Sequence, residues 1–516
     1  MQSRHSSIME NKEKEKATES FKWREFVAIL GFFWVALCIG LGLGLPAVQI
    51  PSIIEKEDKI EMTHSEVSWF SCLSLATCIP GNLIGGFVAS QWGRKIGGIL
   101  VCPFFFAGFL LSAYATNVHG LFAGMASIGF AVGLQHSPCA TYYSEVCSPS
   151  LRTSANAFSG VWCLSGLMLP TLLKGFGVSW RVSSSVFSIV PVIAIVHILL
   201  VPESPAWFVT KGKLKEAKRA IVKLRGPRHD SEEELQYLVR SYAFIKDRPF
   251  SFVTSLERLT DPDVWKPFLI VNIMFVFQMW CGFAFLDRYI LVILSASGLS
   301  FDRYMVATSV GVAKVLGQIN AGICLLRFGR RPLYIFSSLA VCLASAGMAL
   351  SSLFHPDASE IYDQDNSTQQ YQDVMYLTRT TSAVFILDSI QVLSLCVITF
   401  ACSSGIGPIP WAYSCELFPL DLRPQLSGIT SSLVQLQNFV MVKLLADVAP
   451  YMGVSGMFFL FTASAFACVL TGCFIVPETK GKTLHEVTRM FYNDTQIKRK
   501  RLASEGYVVC PDKDEM

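Results

Sequence analysis

Twelve long apolar runs, cut apart by short polar punctuation, constrain this chain more than any other feature. They lie at 25–48, 67–91, 96–115, 120–143, 154–177, 182–201, 267–288, 304–326, 332–354, 382–411, 425–447 and 452–476. Each is close to the roughly 20 residues that carry a helix across the hydrocarbon core of a bilayer. Lipid offers backbone groups no hydrogen-bond partner, so a crossing segment must be a helix or part of a closed barrel. Runs this long and continuous specify helices, because barrel strands alternate apolar and polar residues over about ten positions. Composition agrees: 52% of the 516 residues are hydrophobic and 16% charged, against about 25% charged in a soluble domain. The expected fold class is an all-α membrane protein with twelve transmembrane helices, called spans 1 to 12 below.

Residues 1–24 are polar and charged, and the apolar run that follows is too long for a signal-peptide core, so span 1 is expected to be retained. The sixteen cysteines are even in number, yet Cys38, Cys72, Cys102, Cys324, Cys396 and Cys468 fall inside apolar runs and read as small hydrophobes, not a disulfide framework. The formal charge of +4 is too small to point to nucleic acid, but its distribution is informative. Lys12, Lys14, Lys16, Lys22 and Arg24 precede span 1, Arg94 and Lys95 follow span 2, Lys211 to Arg228 follow span 6, and Lys498 to Arg501 lie in the tail. The exit after span 1 carries Glu55, Glu57, Asp58, Glu61 and Glu66 instead. By the positive-inside rule both termini are expected in the cytosol.

The stretch 202–265 is the longest polar segment before the tail, helix-favouring around Lys213 to Leu224 and Glu232 to Ile245, and it divides the spans into two sets of six. Three signatures recur in the same order on either side. Trp92-Gly-Arg-Lys95 returns as Phe328-Gly-Arg-Arg331, Glu145 seven residues before Arg152 returns as Glu416 before Arg423, and Pro202-Glu-Ser204 returns as Pro477-Glu-Thr479. The displacements are 236, 271 and 275 positions. An insertion at 355–380 accounts for the short first value; it is expected to be extracellular and carries Asn366-Ser-Thr368, an acceptor pattern for N-glycosylation. Two parallel six-helix halves match the carrier plan in which halves rock about a solute site near the midplane. The expected organisation is a tail at 1–24, a bundle at 25–201, a helical linker at 202–265, a second bundle at 266–476 and a tail at 477–516.

On these residues, from Ser68-Trp69 to the closing Pro477-Glu-Thr-Lys-Gly-Lys-Thr-Leu484, the chain resembles the sugar porter family of the major facilitator superfamily and is most similar within it to insect facilitated trehalose transporters. Gly405-Ile-Gly-Pro-Ile-Pro-Trp411 in span 10 is the other diagnostic segment, and Lys443 after Asn438-Phe439 fits the insect group. The resemblance implies two pseudo-symmetric six-helix bundles, a small-molecule solute, a plasma-membrane address and a monomer, with no enzyme activity, catalytic residue, metal or cofactor. It assigns substrate contact to Gln278, Trp411 and Asn438, and a latch that closes the cytosolic face to Arg94, Glu145, Arg152, Glu203, Arg330, Arg331, Glu416, Arg423 and Glu478. Independently, the glycines and prolines of 405–410 remove side chains and amide donors, so span 10 must bend and leave carbonyls such as that of Gly407 free. Trp411 just beyond can pack on the apolar face of a sugar or anchor the helix at the interface. Arginine alone would suit topology signalling; the glutamates at matching helix ends require a partner role.

Several positions depart from the family pattern. Its second span-7 glutamine is Met279 and its asparagine there is Ala284, its span-8 asparagine falls at Lys314, and one of two span-11 asparagines is Val434. Gly160 replaces a span-5 glutamine, Met125 the span-4 arginine, and Ser90 and Leu326 the acids before the two glycine-arginine motifs. A site that binds hydroxyls discriminates through such partners. Asp287, Arg288, Lys314 and Lys443 sit in or at the ends of spans, where ionisable groups are costly and usually functional. Asp287 and Lys314 are expected to pair or to face the cavity and favour a charged solute; in the opposing reading, Asp287 and Arg288 are hydrated in the outer mouth. Span 1 has no acid between Phe26 and Pro51, which favours facilitated diffusion over proton coupling. Gly481-Lys-Thr483 is not a phosphate loop, because Val476 stands where its glycine would be. The leading expectation is a facilitative carrier of trehalose or a hexose; the alternatives are a carrier of a non-sugar or charged solute and a non-transporting nutrient sensor.

Overall fold

The computed structural model describes residues 2–56, 60–147, 149–226, 230–246, 262–297, 301–354, 382–418, 423–479 and 491. Among them, ten helices are long and apolar enough to cross a membrane: Trp23–Ile54, His64–Gln91, Arg94–Tyr114, Val118–Val146, Trp180–Leu200, Val264–Ala296, Arg303–Leu325, Arg330–Leu353, Phe385–Ser414 and Leu426–Phe474. The last is double. Gly453 within it has φ 65°, a left-handed kink that separates spans 11 and 12. Helix Pro149–Gly175 supplies span 5, which brings the described crossings to twelve. The helix of span 1 runs back to Gln2, through the segment read as a polar tail. Asn366 lies outside the described residues.

Local chemistry explains several helix starts. Thr63 and Glu66 form a reciprocal capping box at span 2, with the Thr63 amide donating to Glu66 Oε2 at 2.8 Å. Asn117 accepts from the Gly120 amide at 2.8 Å and Asp302 from the Met305 amide at 3.1 Å, so spans 4 and 8 also open on side-chain caps. Spans 3 and 9 start differently: their caps are Gly93 and Gly329, which have no side chain to offer. Between the halves, two helices, Leu214–Arg225 and Ser231–Lys246, fold where the linker composition placed them.

In the first half, span 1 packs on span 5 and span 4 on spans 2 and 3; in the second, span 9 packs on the 11–12 helix and span 10 on spans 8 and 9. Span 1 and span 5 touch at the backbone, where a Cβ on Gly40 would fall 1.8 Å from the Cys163 carbonyl oxygen. Among the described residues, the most extensive contacts between the halves are span 5 with span 8, span 2 with the 11–12 helix, and span 1 with the later part of span 7.

Span 7 differs from its expected extent of 267–288. It runs Pro262–Trp280, breaks, and restarts as Phe283–Ala296. The break turns on Gly282, whose φ of 81° lets the helix end and begin again at low cost. A Cβ there would also lie 2.4–2.6 Å from ring atoms of Phe461. Gly282→Ala is therefore expected to cost about 1–3 kcal/mol from backbone strain alone, read as a lower melting temperature in detergent; an unchanged midpoint would show that the break tolerates a side chain.

Candidate functional site

The repeated motifs assemble, once in each half, into the same network at one face of the bundle, here the motif face. In the first half, Glu203 reaches back to the start of span 3 and accepts from the Arg94 amide at 3.1 Å and the Lys95 amide at 3.0 Å. In the second, Glu478 accepts from the amides of Arg330 and Arg331 at 3.2 Å each, at the start of span 9. These carboxylates do the capping that Gly93 and Gly329 cannot, and they sit at the positive end of a helix dipole. Burial raises the Glu203 carboxyl above the ordinary glutamate range, although the amides that bond it pull the other way.

The arginines then turn to the second carboxylate. Arg94 Nη2 meets Glu145 at 2.8 Å and Arg330 Nη2 meets Glu416 at 2.8 Å. Ser204 Oγ donates to Glu145, and Thr479 Oγ1 donates to Glu416 at 2.6 Å. The next basic residue covers the far end of another helix: Lys95 donates to the Leu199 and Val201 carbonyls at 2.8 and 2.9 Å, and Arg331 to those of Gly472 and Cys473. Cations at C-terminal carbonyls are the complementary dipole contact. A tyrosine completes each copy, Tyr142 donating to the Pro202 carbonyl at 2.9 Å and Tyr413 to that of Pro477 at 2.7 Å. The sequence reading missed this pair, although Tyr142 and Tyr413 are separated by the same 271 positions as Glu145 and Glu416.

The bonds given above stay within their own half. For the described side chains the geometry fastens three helix ends of each half to one another. The physical reason is that the exposed amides and carbonyls nearest each glutamate and basic residue belong to helix ends of the same half. The side chains of Arg152 and Arg423 are outside the described set.

Deeper in the bundle, span 10 breaks as its glycines and prolines require, passing through a π-turn at Cys402–Ile406 before Pro408–Leu417. Such turns occur frequently at functional sites. The Gly407 carbonyl freed there accepts from Gln278 Nε2 at 3.3 Å, while Gln278, 4% exposed, keeps its Oε1 without a partner among the described residues. Trp411, half-buried, packs edge-on to Phe275, one turn before Gln278, with ring centroids 4.8 Å apart. The structure thus brings Gln278, Gly407 and Trp411 together. From the other half His136 of span 4 faces the same indole at 5.6 Å. The sequence reading missed His136; its signal was the polar Gln135-His136-Ser137 within an otherwise apolar span. On span 11, Gln435 Oε1 and Asn438 Oδ1 are buried acceptors, also without a partner among the described residues.

Lys314 of span 8 is buried. Its side chain, 3% exposed, forms an ion pair with Asp287 on the restarted part of span 7, and its ammonium lies 4.6 Å from the centre of the Phe283 ring. Arg288, next in sequence, points to the other half. It is 3% exposed and donates to the Ser71 carbonyl at 2.7 Å and to Ser74 Oγ at 3.2 Å, both on span 2. The reading that put Asp287 and Arg288 in a hydrated mouth is corrected: the break at Gly282 carries the helix on to Ala296, which leaves both residues inside it.

Polar bridges between the halves gather at the face opposite the motifs, here the rim. Arg303 grips Glu55, with Nη2 to Oε2 at 2.8 Å. Ser68 donates to Asp447 at 2.8 Å and accepts from Lys443 at 2.8 Å, and Lys443 also sits over the Trp69 ring at 5.2 Å. With Arg288 they tie spans 1 and 2 of the first half to spans 7, 8 and 11 of the second.

Comparison with known proteins agrees with this architecture. The profile of the sugar (and other) transporter family matches residues 11–491. A facilitated trehalose transporter from Apis mellifera ligustica is 26% identical over 90% of this chain and 88% of its own length, and one from Polypedilum vanderplanki is 26% identical over 86% and 84%. Trehalose transporter 1 of Drosophila melanogaster is 27% identical, but this chain spans 52% of its length. Among solved structures, a proton:xylose symporter bound to 6-bromo-6-deoxy-D-glucose superposes with a TM-score of 0.69 at 17% identity, covering 91% of this chain and 99% of that one. An inward open form of the E. coli xylose transporter gives 0.68 at 18%. That likeness concerns the fold. The twelve spans, the duplicated motif networks and the whole-length family match together make this chain a member of the sugar (and other) transporter family within the major facilitator superfamily.

Proposed function

We propose that the protein is a facilitative carrier of a neutral sugar, trehalose or a hexose, that works by alternating access without proton coupling. The observation that carries this reading is the cluster of Gln278, Gly407 and Trp411 at the break of span 10, where unpaired amide oxygen and an aromatic face stand side by side. Sugar hydroxyls supply the donors that Gln278 Oε1 and Asn438 Oδ1 lack among the described residues, and a pyranose face packs on indole. Each motif network fastens its bundle, 25–201 or 266–476, into a unit that moves as one body. The rim bridges then close one mouth, and their release opens it. The named relatives, facilitated trehalose transporters, support the solute class.

A neutral solute is favoured over a charged one because Lys314 already has its counterion in Asp287. Proton coupling is disfavoured by the absence of an acid in span 1 between Phe26 and Pro51; Glu25, just before it, is paired with Arg225. The protein is assigned to the plasma membrane as a monomer, with the motif face and both termini in the cytosol. Radiolabelled trehalose, glucose and organic ions offered to expressing oocytes test the proposal. Saturable trehalose or glucose uptake that a protonophore leaves unchanged is the expected result. Uptake of organic ions alone, uphill accumulation driven by a proton gradient, or no uptake by protein present at the surface would overturn it.

A further inference from the structure

The helix Leu214–Arg225 in the linker buries Ala217, Ala220, Ile221 and Leu224 and turns its other side outward. On that side Lys215, Lys218, Arg219 and Val222 line an open cleft of about 460 Å³. Its level relative to the membrane is fixed by two tethers. Lys223 Nζ donates to the carbonyl of Leu200, the last residue of span 6, at 3.1 Å. Arg225 is ion-paired to Glu25, and Arg24 lies against Gly226, at the start of span 1. Trp23 beside them is 65% exposed, and Trp92, at the end of span 2, is 52% exposed. Exposed tryptophans at span ends belong at the headgroup level.

The surface next to the helix is apolar and faces outward: Val196, Leu199 and Leu200 on span 6 are exposed, as are Leu214 and Val222 on the helix itself. An outer face of lysine and arginine flanked by exposed aliphatics, held at headgroup depth beside a lipid-facing span, suits attraction to anionic headgroups. The acidic groups nearby do not cancel it. Glu216 lies on the same helix, and Glu232 pairs with Lys218, while Lys215 and Arg219 remain exposed.

We infer that Lys215, Lys218 and Arg219 form a binding site for the headgroup of an anionic phospholipid in the leaflet at the motif face. Phosphate oxygens accept from the ammonium and guanidinium groups, and the acyl chains run down the exposed face of span 6. The physiological leaflet rests on the cytosolic placement proposed above; binding itself does not, so a failure of transport and a failure of lipid binding are separate results.

The test is native mass spectrometry of the full-length protein titrated with phosphatidylserine, with phosphatidylcholine as the zwitterionic control, and with inorganic phosphate as competitor. The protein is expected to retain phosphatidylserine in preference to phosphatidylcholine. The variant K215Q/K218Q/R219Q is expected to bind it roughly tenfold or more weakly, since each basic residue near an anionic surface contributes about 1 kcal/mol. Uptake in vesicles of pure phosphatidylcholine should be the same for both proteins, which shows that the variant is folded. Equal phosphatidylserine binding by wild type and variant, equal retention of phosphatidylcholine, or displacement of the lipid by inorganic phosphate at similar concentration would each overturn the assignment, the last by identifying a site for free anions.

Discussion

Lys314→Ala is expected to destabilise the protein by about 3–5 kcal/mol, because it leaves the Asp287 carboxylate unpaired inside a span. Both single variants, Lys314→Ala and Asp287→Ala, should accumulate poorly at the surface and melt early in detergent. The double variant removes both charges together and should recover most of the loss, since replacing a buried pair by apolar groups is often neutral. Some cost remains in the double variant, because the contact of the ammonium with the Phe283 ring is also gone. This cycle separates an internal tie from a solute contact. If the double variant folds and keeps its solute preference, the pair holds spans 7 and 8 together. A double variant no better than either single one would mean that the two charges do not act on each other, and the neutral-solute argument would fall with them.

Arg288→Met is expected to shift the balance between the carrier's two conformations by about tenfold or more. The guanidinium crosses from one half to the other and is fully desolvated there. Losing a hydrogen bond made by a charged group costs about 1.5–3 kcal/mol, and about 1.4 kcal/mol is a factor of ten. Because the bonds to Ser71 and Ser74 exist while the rim is closed, that cost falls on the closed-rim state. Spin labels at Met62 and Phe301, on either side of the rim, should show a longer-distance population in the variant, and turnover should drop tenfold or more. Unchanged distances and turnover would show that Arg288 is structural filler and that other contacts set the rim.

The sequence made the twelve spans readable because lipid solvation imposes one length and one composition on each of them. The bend in span 10 was equally legible, since Gly405, Gly407, Pro408 and Pro410 fall within six residues. The break in span 7 was not. A single glycine between apolar flanks looks like any other helix glycine, and only the fold, with Phe461 pressed against it, shows that its φ is positive. That omission also misplaced Asp287 and Arg288. The motif glutamates were recognised as needing partners, but those of Glu203 and Glu478 are backbone amides, which carry no letter in the sequence. His136 escaped for a related reason: its meaning lies in an indole 275 positions away on the other half.

The way Glu203 and Glu478 hold their helices bears on how freely this chain can drift. A carboxylate that grips peptide N–H groups is indifferent to which side chains those peptides carry. The grip itself can therefore survive replacement of Arg94, Lys95, Arg330 or Arg331, whereas the glutamates have no substitute of the same reach and charge. Divergent members of such a lineage should be easier to recognise by the acids that close each half than by the basic letters those acids hold.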